Sequence, residues 1–316
     1  MITYTNHIAA ADDLVTSYNE TRAGFIAIAL EKNRQATPFI AEARVLQNRA
    51  KKAKSPNDLL QIPDIRNALI AAAGISDKAA GHLGDAGCTE AIQEFVKNFL
   101  IPAGDKFNEE LVFRFLLTKG DSLGGKMRNI VGALAQRKLC LSIISSLRLS
   151  GKQFYVCMDN ANEWASSLNI TNDMDIENAK GLSWDSTEVR TLFFNTTIPI
   201  VKNNVDILVV NKPHTESLKE IITNAESYIA LGELKGGIDP AGADEHWKTA
   251  KTALDRIKAA FEQKRVFPQL FFIGAAIESK MAGEIYTHLQ ANYLQNAANL
   301  TKPEQIVSLA EWLVKI

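Results

Sequence analysis

The sequence lacks the marks of an exported or membrane-bound protein. Its three cysteines, Cys88, Cys140 and Cys157, cannot all pair with one another and lack the spacing of a metal site, so we expect reduced, buried thiols. The N-terminal residues carry acids early and no basic segment followed by an apolar one, which argues against a secretion signal and for a cytoplasmic protein. The longest apolar runs, Val205–Val210 and Leu270–Ile277, are too short to span a membrane.

A basic excess is also missing. The 316 residues include 35 Lys and Arg against 36 Asp and Glu, and the net charge is −1. Domains that bind nucleic acids are often basic, so the total charge argues against such a partner. It does not exclude one, because the local arrangement of lysines and arginines sets the field at a groove. The content of 46% hydrophobic and 22% charged residues is that of an ordinary globular chain with one large domain or two smaller ones.

Periodicity predicts two kinds of architecture along the chain. Residues 1–105 carry apolar side chains at helical spacing, so we predict an N-terminal helical domain there. From residue 106 to residue 316, apolar strands and helices alternate, as in an α/β (α+β) fold with a mixed central sheet flanked by helices. Within this part we expect mainly loops over residues 160–185 and a helix over residues 279–296.

Charged residues interrupt two apolar strands of the predicted sheet. Val205–Val210 forms a mostly buried strand that contains Asp206, and a second strand ends in Glu233-Leu234-Lys235. Glu233 and Lys235 are two residues apart, so their side chains leave the strand on the same face. Burying a charge is costly unless it is paired or bound to a metal. If the two strands pair, Asp206 lies beside Glu233.

Two adjacent carboxylates repel each other unless a cation lies between them. Mg²⁺ suits such a site because it takes oxygen ligands, usually one or two carboxylates with waters and phosphates. A lysine beside the ion can orient a water or stabilise charge on a phosphate. Asp206, Glu233 and Lys235 therefore predict metal-assisted hydrolysis of a phosphodiester. The alternative is a surface ion pair, which is the commoner meaning of an isolated Glu-x-Lys.

The segment that follows carries a resemblance. Residues 232–250, GELKGGIDPAGADEHWKTA, resemble the active-site segment of the AvaI/BsoBI family of type II restriction endonucleases, within the PD-(D/E)xK nuclease superfamily. The resemblance covers most of the chain. It implies a restriction-endonuclease-like fold, an N-terminal domain that clasps DNA, a catalytic triad of Asp206, Glu233 and Lys235, and Mg²⁺ held by the two carboxylates. One departure is Val205, which precedes Asp206 in place of the proline of the superfamily pattern, a proline that many members of the superfamily also lack.

The resemblance also implies how DNA is read and cut. His246 is expected beside the attacking water as a general base, and Asp239 and Lys78 are expected to contact bases. Asp239 can accept a hydrogen bond from a cytosine amino group in the major groove. The expected substrate is double-stranded DNA with a degenerate palindrome of the C-Y-C-G-R-G type, cut to leave 5′-phosphates. A palindrome matches a two-fold homodimer in which each subunit contacts one half-site.

A glycine-rich segment allows a different interpretation. Gly120–Lys126 has the G-x-x-x-x-G-K pattern of a phosphate-binding loop, but Met127 lacks the hydroxyl that binds Mg²⁺ and a helix rather than a strand precedes it. We therefore expect no ATP. We predict instead a turn that opens a helix from Lys126 to Leu149. Its free amides, Lys126 and Arg128 would meet a DNA phosphate, unless the turn only packs two helices together.

Three other functions stay open from the residues alone. The chain could be a repair or structure-selective nuclease of the same superfamily, or a DNA-binding protein without catalysis. The third is an ATP-handling protein that uses the glycine-rich segment. The intact set of Asp206, Glu233 and Lys235 argues against a protein that has lost catalysis.

Overall fold

The computed structural model describes residues 3–158, 163–169, 179–185 and 188–316, without the side chain of Arg128. Its contacts form two compact units, which we describe separately. The helical unit comprises Ala27–Arg128, and the sheet unit comprises Met1–Ile26 with Asn129–Ile316. The helices are α1 (Tyr18–Ala50), α2 (Arg66–Ala72), α3 (Asp77–Phe95), α4 (Phe107–Leu149), α5 (Leu218–Thr223), α6 (Ala243–Glu262), α7 (Ser279–Gln290) and α8 (Pro303–Lys315). The strands are β1 (Phe154–Met158), β2 (Trp164–Ser166), β3 (Ala179–Asp185), β4 (Val189–Ile198), β5 (Asn203–Val210), β6 (Tyr228–Lys235), β7 (Gln269–Gly274) and β8 (Asn296–Asn299).

The helical unit has its own apolar core. Leu46 of α1, Leu69 of α2, Ile92 of α3 and Phe115 of α4 are all buried in one cluster. Ser76 caps α3 by accepting a hydrogen bond from the Ala79 amide at 3.2 Å, which replaces one of the partners that the first turn of a helix lacks. The core forms because the apolar residues recur at helical spacing, as the sequence predicts.

The predicted glycine-rich turn is wrong. α4 runs without interruption from Phe107 to Leu149, so Gly120–Lys126 lies in the middle of a helix. A Cβ at Gly120, Gly124 or Gly125 would meet nothing within 4 Å, so close approach of another element does not explain these glycines. Interior helical glycines cost only about 1 kcal/mol each relative to alanine, which the surrounding helix tolerates. No helix begins at Lys126, and this segment forms no phosphate-binding loop.

The sheet unit is built on eight strands in the order β2-β1-β3-β4-β5-β6-β7-β8. Neighbouring strands are antiparallel as far as β6, and β6, β7 and β8 are parallel. This confirms the predicted mixed sheet flanked by helices. Two local predictions are wrong: Ala179–Asp185 is a strand rather than loop, and the helix expected over residues 279–296 ends at Gln290, before the strand Asn296–Asn299. Residues 170–178 of the predicted loop region lie outside the described residues.

One face of the sheet packs against α6 and α7. Leu208 and Leu231 of the sheet share a buried cluster with Leu254 of α6 and Ile285 of α7. Strict alternation would put Tyr228 on the opposite face, together with Ala230. Instead a register shift between Val209 and Val210 turns Tyr228 toward α6, where its ring meets Phe261 at 4.9 Å between centroids. The bulge thus enlarges the apolar contact that fixes α6 on the sheet.

The C-terminal part of α4 also carries buried apolar residues. Asn129–Leu149 is the one described segment that is long and apolar enough to cross a membrane by length and composition, although polar residues interrupt its apolar runs. Leu139, Ile143 and Leu147 are buried along one side of this segment. Lys138 donates a hydrogen bond to the carbonyl of Leu300 at 2.7 Å. A buried apolar stripe with polar links to the sheet unit is typical of a core helix.

Candidate active site

The predicted pairing of the two charged strands is present. β5 and β6 are antiparallel, with Ile207 opposite Gly232, so Asp206 comes next to Glu233. β7 continues the sheet on the other side of β6, with Phe272 beside Glu233. The chain leaves β6 through Gly236, where a Cβ would lie 2.9 Å from the carbonyl oxygen of Val131 in α4. Any larger residue would push α4 away, so glycine is required at the end of this strand.

Hydrogen bonds join the three predicted catalytic side chains. The Lys235 ammonium donates to Glu233 Oε2 at 2.7 Å and to Asp206 Oδ2 at 3.1 Å. The backbone amide of Leu234 donates to the same Asp206 oxygen at 2.9 Å. Glu233 is only 3% exposed, whereas Asp206 and Lys235 keep part of their surface in solvent. The structure therefore brings these three residues together with one lysine between two carboxylates.

The surroundings change how these groups ionise. Burial, and then the neighbouring carboxylate of Asp206, raise the pKa of Glu233 to about 7, and Lys235 only partly offsets this. Burial alone would lower the pKa of the Lys235 ammonium, but the carboxylates of Glu233 and Asp206 outweigh it and the pKa is raised. Lys235 therefore stays charged at neutral pH, whereas the ionised form of Glu233 is disfavoured by burial and by the carboxylate beside it.

This donor set fits a divalent cation. Among the described residues no group of three or more His, Cys, Asp or Glu side chains is arranged to hold a metal. The site offers two carboxylates instead, one of them buried beside a like charge that disfavours its ionised form. Mg²⁺ is commonly held by one or two carboxylates, with waters and phosphate oxygens in its remaining positions. Asp206 and Glu233 are thus the residues that would hold it.

The three side chains open onto a cleft of about 550 Å³. Its opposite wall is a face of α6 that the sequence analysis did not identify. This wall and the strand ends contribute Asn203, Asn204, Lys248, Thr249, Thr252, Ala253 and Arg256. Residues three to four positions apart lie on one side of a helix, so the spacing of Lys248, Thr252 and Arg256 was the available signal. That spacing indicates a wall of the cleft only when the fold shows that α6 faces Glu233.

His246 packs against the segment that follows β6. It belongs to the first turns of α6, but it is not among the residues that line the cleft. Its ring packs against Gly237, where a Cβ would overlap the imidazole. Its Nδ1 is buried and has no hydrogen-bond partner among the described residues. The general-base role of His246 stays a prediction, and no hydrogen bond joins its ring to Asp206, Glu233 or Lys235 among the described residues.

The predicted DNA-contacting residues fall in both units. Asp239 is exposed before α6, and its Oδ1 accepts a hydrogen bond from the Ala241 amide at 3.0 Å. Lys78 is exposed in the first turn of α3, and Lys126 is exposed on α4. Arg128 belongs to α4, but its side chain lies outside the described structure. Their contacts with DNA stay predictions.

Comparison with known proteins decides the family. A model of the family described as restriction endonuclease BsobI matches residues 4–316. The chain belongs to this family. It is 51% identical over 314 residues to the type II restriction enzyme AvaI of Nostoc sp., covering 99% of each chain. It is 50% identical over 317 residues to the type II restriction enzyme BsoBI of Geobacillus stearothermophilus, covering 99% of this chain and 98% of that one.

Membership settles the class of activity. The chain is a type II restriction endonuclease, which hydrolyses double-stranded DNA at specific sites. Enzymes of this kind generally need a divalent metal, in agreement with the donor set of Asp206 and Glu233.

Proposed function

We propose that this endonuclease is Mg²⁺-dependent and cuts both strands of a degenerate palindrome of the C-Y-C-G-R-G type, leaving 5′-phosphates. The observation that carries the metal-dependent chemistry is the shared hydrogen bonding of Asp206, Glu233 and Lys235 at the open end of two paired strands. The sequence preference rests on similarity to AvaI and BsoBI, whose names identify them as type II restriction enzymes.

Each side chain has a part in the proposed mechanism. Mg²⁺, when bound, supplies a Lewis acid that lowers the pKa of water and neutralises charge on the phosphate. Asp206 and Glu233 would hold the ion, and the Leu234 amide fixes the orientation of Asp206. Lys235 keeps its proton beside both carboxylates. It can therefore donate a hydrogen bond to a phosphate oxygen or orient the attacking water as the charge develops.

His246 is the proposed acceptor of a proton from that water. An imidazole can accept a proton as a general base. The His246 ring packs on Gly237, in the segment that leads from Lys235 to α6.

Recognition is assigned to residues outside the triad. One oxygen of Asp239 caps the Ala241 amide, and the other can accept a hydrogen bond from a cytosine amino group. Lys78 is proposed as a second base contact, and Lys126 and Arg128 as phosphate contacts. A homodimer would present two such sets to the two halves of a palindrome. Neither ATP nor a membrane has a part in this scheme, and the expected location is the cytoplasm.

Digestion of plasmid and phage DNA tests the proposal. With Mg²⁺ and without ATP, we expect discrete fragments whose sequenced ends define one degenerate palindrome, and ends that a ligase joins unless a phosphatase has removed their 5′-phosphates. The matched control is Lys235→Ala, which should bind the same DNA and leave it intact. A smear, nicks only at unusual DNA structures, or discrete cutting that persists in Lys235→Ala would contradict the proposal.

A further inference from the structure

The α6 wall of the cleft carries basic side chains opposite the carboxylates. Lys248 and Arg256 line the cleft from α6, and Asp206, Glu233 and Lys235 line it from the sheet. A DNA strand whose phosphate reaches Lys235 must therefore pass along α6. Backbone phosphates are bound by lysine, arginine and polar side chains that face the duplex.

The positive charges of α6 are neutralised in a regular way, with one exception. Lys248 pairs with Asp244 at 2.5 Å, Lys251 with Asp255 at 3.5 Å and Lys258 with Glu262 at 3.9 Å, each four residues apart. Arg256 has threonine four residues before it and alanine four residues after it. Across the part of the chain that the structure describes, no carboxylate lies within salt-bridge distance of its guanidinium.

Several polar groups of the cleft are already engaged. The Thr252 hydroxyl donates to the carbonyl of Lys248 at 2.8 Å. Asp206 and Glu233 share the Lys235 ammonium at 3.1 and 2.7 Å. Arg256 is thus the uncompensated cation of the cleft. A guanidinium presents a planar fork of N–H donors that matches two oxygens of one phosphate.

We propose that Arg256 is a DNA-binding residue that holds a backbone phosphate of the cut strand, next to the scissile phosphate. Two hydrogen bonds from one guanidinium fix the position and the direction of the strand over Asp206, Glu233 and Lys235. This assignment rests on the proposed function, because it takes the carboxylate end of the cleft as the place of cleavage. The competing possibility is an arginine that is simply solvated on the helix surface.

Binding of a short duplex that contains the mapped cut site tests the assignment. Affinity is measured by fluorescence anisotropy without divalent metal at several salt concentrations, for the parent chain, Arg256→Gln and Arg265→Gln. Arg265 is a matched control because it is exposed just after α6 and does not line the cleft. Hydrogen bonds to charged groups contribute about 1.5–3 kcal/mol, so Arg256→Gln should weaken binding by about tenfold to a hundredfold. The slope of log affinity against log salt should fall by about one.

Three further readouts separate positioning from a structural effect. Arg256→Lys should recover only part of the affinity, because it restores the charge without the fork. Thermal unfolding of Arg256→Gln should match that of the parent chain, since the side chain is exposed. In single-turnover cleavage with Mg²⁺, Arg256→Gln should need more enzyme to reach its maximal rate, and that rate should also fall, because the strand is held less firmly over Lys235.

The outcomes distinguish this inference from the proposed function. If the parent chain cuts the duplex while Arg256→Gln binds it with parental affinity and salt dependence, only the role of Arg256 is overturned. Equal weakening in Arg265→Gln would also overturn it, because the effect would then be a general loss of charge. If the parent chain does not cut the duplex at all, the proposed function fails and the role of Arg256 fails with it.

Discussion

Gly232 directly precedes the buried Glu233, and replacing it with alanine should destabilise the protein. A Cβ built at Gly232 overlaps the Cε2 and Cζ atoms of the Phe271 ring. That ring is 0% exposed, and it packs edge-on against Trp312 at 5.5 Å between centroids. The Phe271 ring therefore cannot move out into solvent. The added methyl group must displace β6, β7 or α8.

Two effects of opposite sign set the size of this change. Replacing a glycine inside a strand with alanine gains about 0.5–1 kcal/mol from the unfolded chain. Overpacking a filled core costs about 1–3 kcal/mol. The overlap with a fully enclosed ring favours the upper part of that range, so we expect Gly232→Ala to lower the free energy of unfolding by about 1–2 kcal/mol. Urea unfolding followed by circular dichroism measures it.

Two matched variants test the steric explanation for Gly232→Ala. Gly283 lies in α7, and a Cβ there meets nothing within 4 Å. Gly283→Ala should therefore stabilise the protein by about 0.5–1 kcal/mol, the opposite sign for the same chemical change. Phe271→Leu shortens the obstructing ring and should relieve part of the cost of Gly232→Ala, with a coupling of about 0.5–3 kcal/mol. Additive effects of the two substitutions, or a Gly232→Ala protein as stable as its parent, would refute the steric account.

Three further predictions concern pH, the long helix and the proposed base. His7 contacts Ser308 Oγ at 2.8 Å and the carbonyl of Ala297 at 2.9 Å, and burial is the main cause that lowers its pKa. Because the pKa is lower in the folded chain than in the unfolded one, the neutral His7 stabilises the fold above pH ~6.5, and this stability is lost as the pH falls. The free energy of unfolding of His7→Gln should therefore depend less on pH below pH ~6.5 than that of the parent chain. Gly124→Ala and Gly125→Ala, inside α4 with open space around them, should each raise the free energy of unfolding by about 0.5–1 kcal/mol; a loss in both would mean that the continuous helix is wrong. His246→Ala should slow single-turnover cleavage by about a hundredfold or more, because a positioned general base contributes that much; cleavage at the parental rate would exclude that role.

The pairing of β5 with β6 was predictable because charged residues interrupt strands that are otherwise apolar. Asp206, Glu233 and Lys235 stand in otherwise apolar strands, and burial of charge needs a compensating partner. Local alternation was enough to find the strands, and one short hydrogen-bond network then joins them. The bulge that turns Tyr228 toward α6 was not predictable, because it depends on the register of the neighbouring strand.

The predictions that were wrong concern segments whose structure depends on contacts with residues distant in the sequence. Asn296–Asn299 has no β-branched or aromatic residue, yet it is fully buried as β8. Asn299 donates to the carbonyl of Leu14 at 2.8 Å and to Thr16 Oγ1 at 2.7 Å, contacts that local sequence cannot reveal. Gly120–Lys126 looked like a turn because of its glycines, but helix hydrogen bonding on both sides outweighs their low propensity. The role of Arg256 was hidden for a third reason, since only the fold shows which side of α6 faces the carboxylates.

The central claim is that Asp206, Glu233 and Lys235 act together to cut DNA with a divalent metal. The most direct test is single-turnover cleavage of one mapped duplex by Asp206→Asn, Glu233→Gln and Lys235→Met, with DNA binding measured separately. We expect each variant to bind the duplex about as well as the parent chain and to cleave it at the rate seen without metal. A variant that cleaves at the parental rate would contradict the claim.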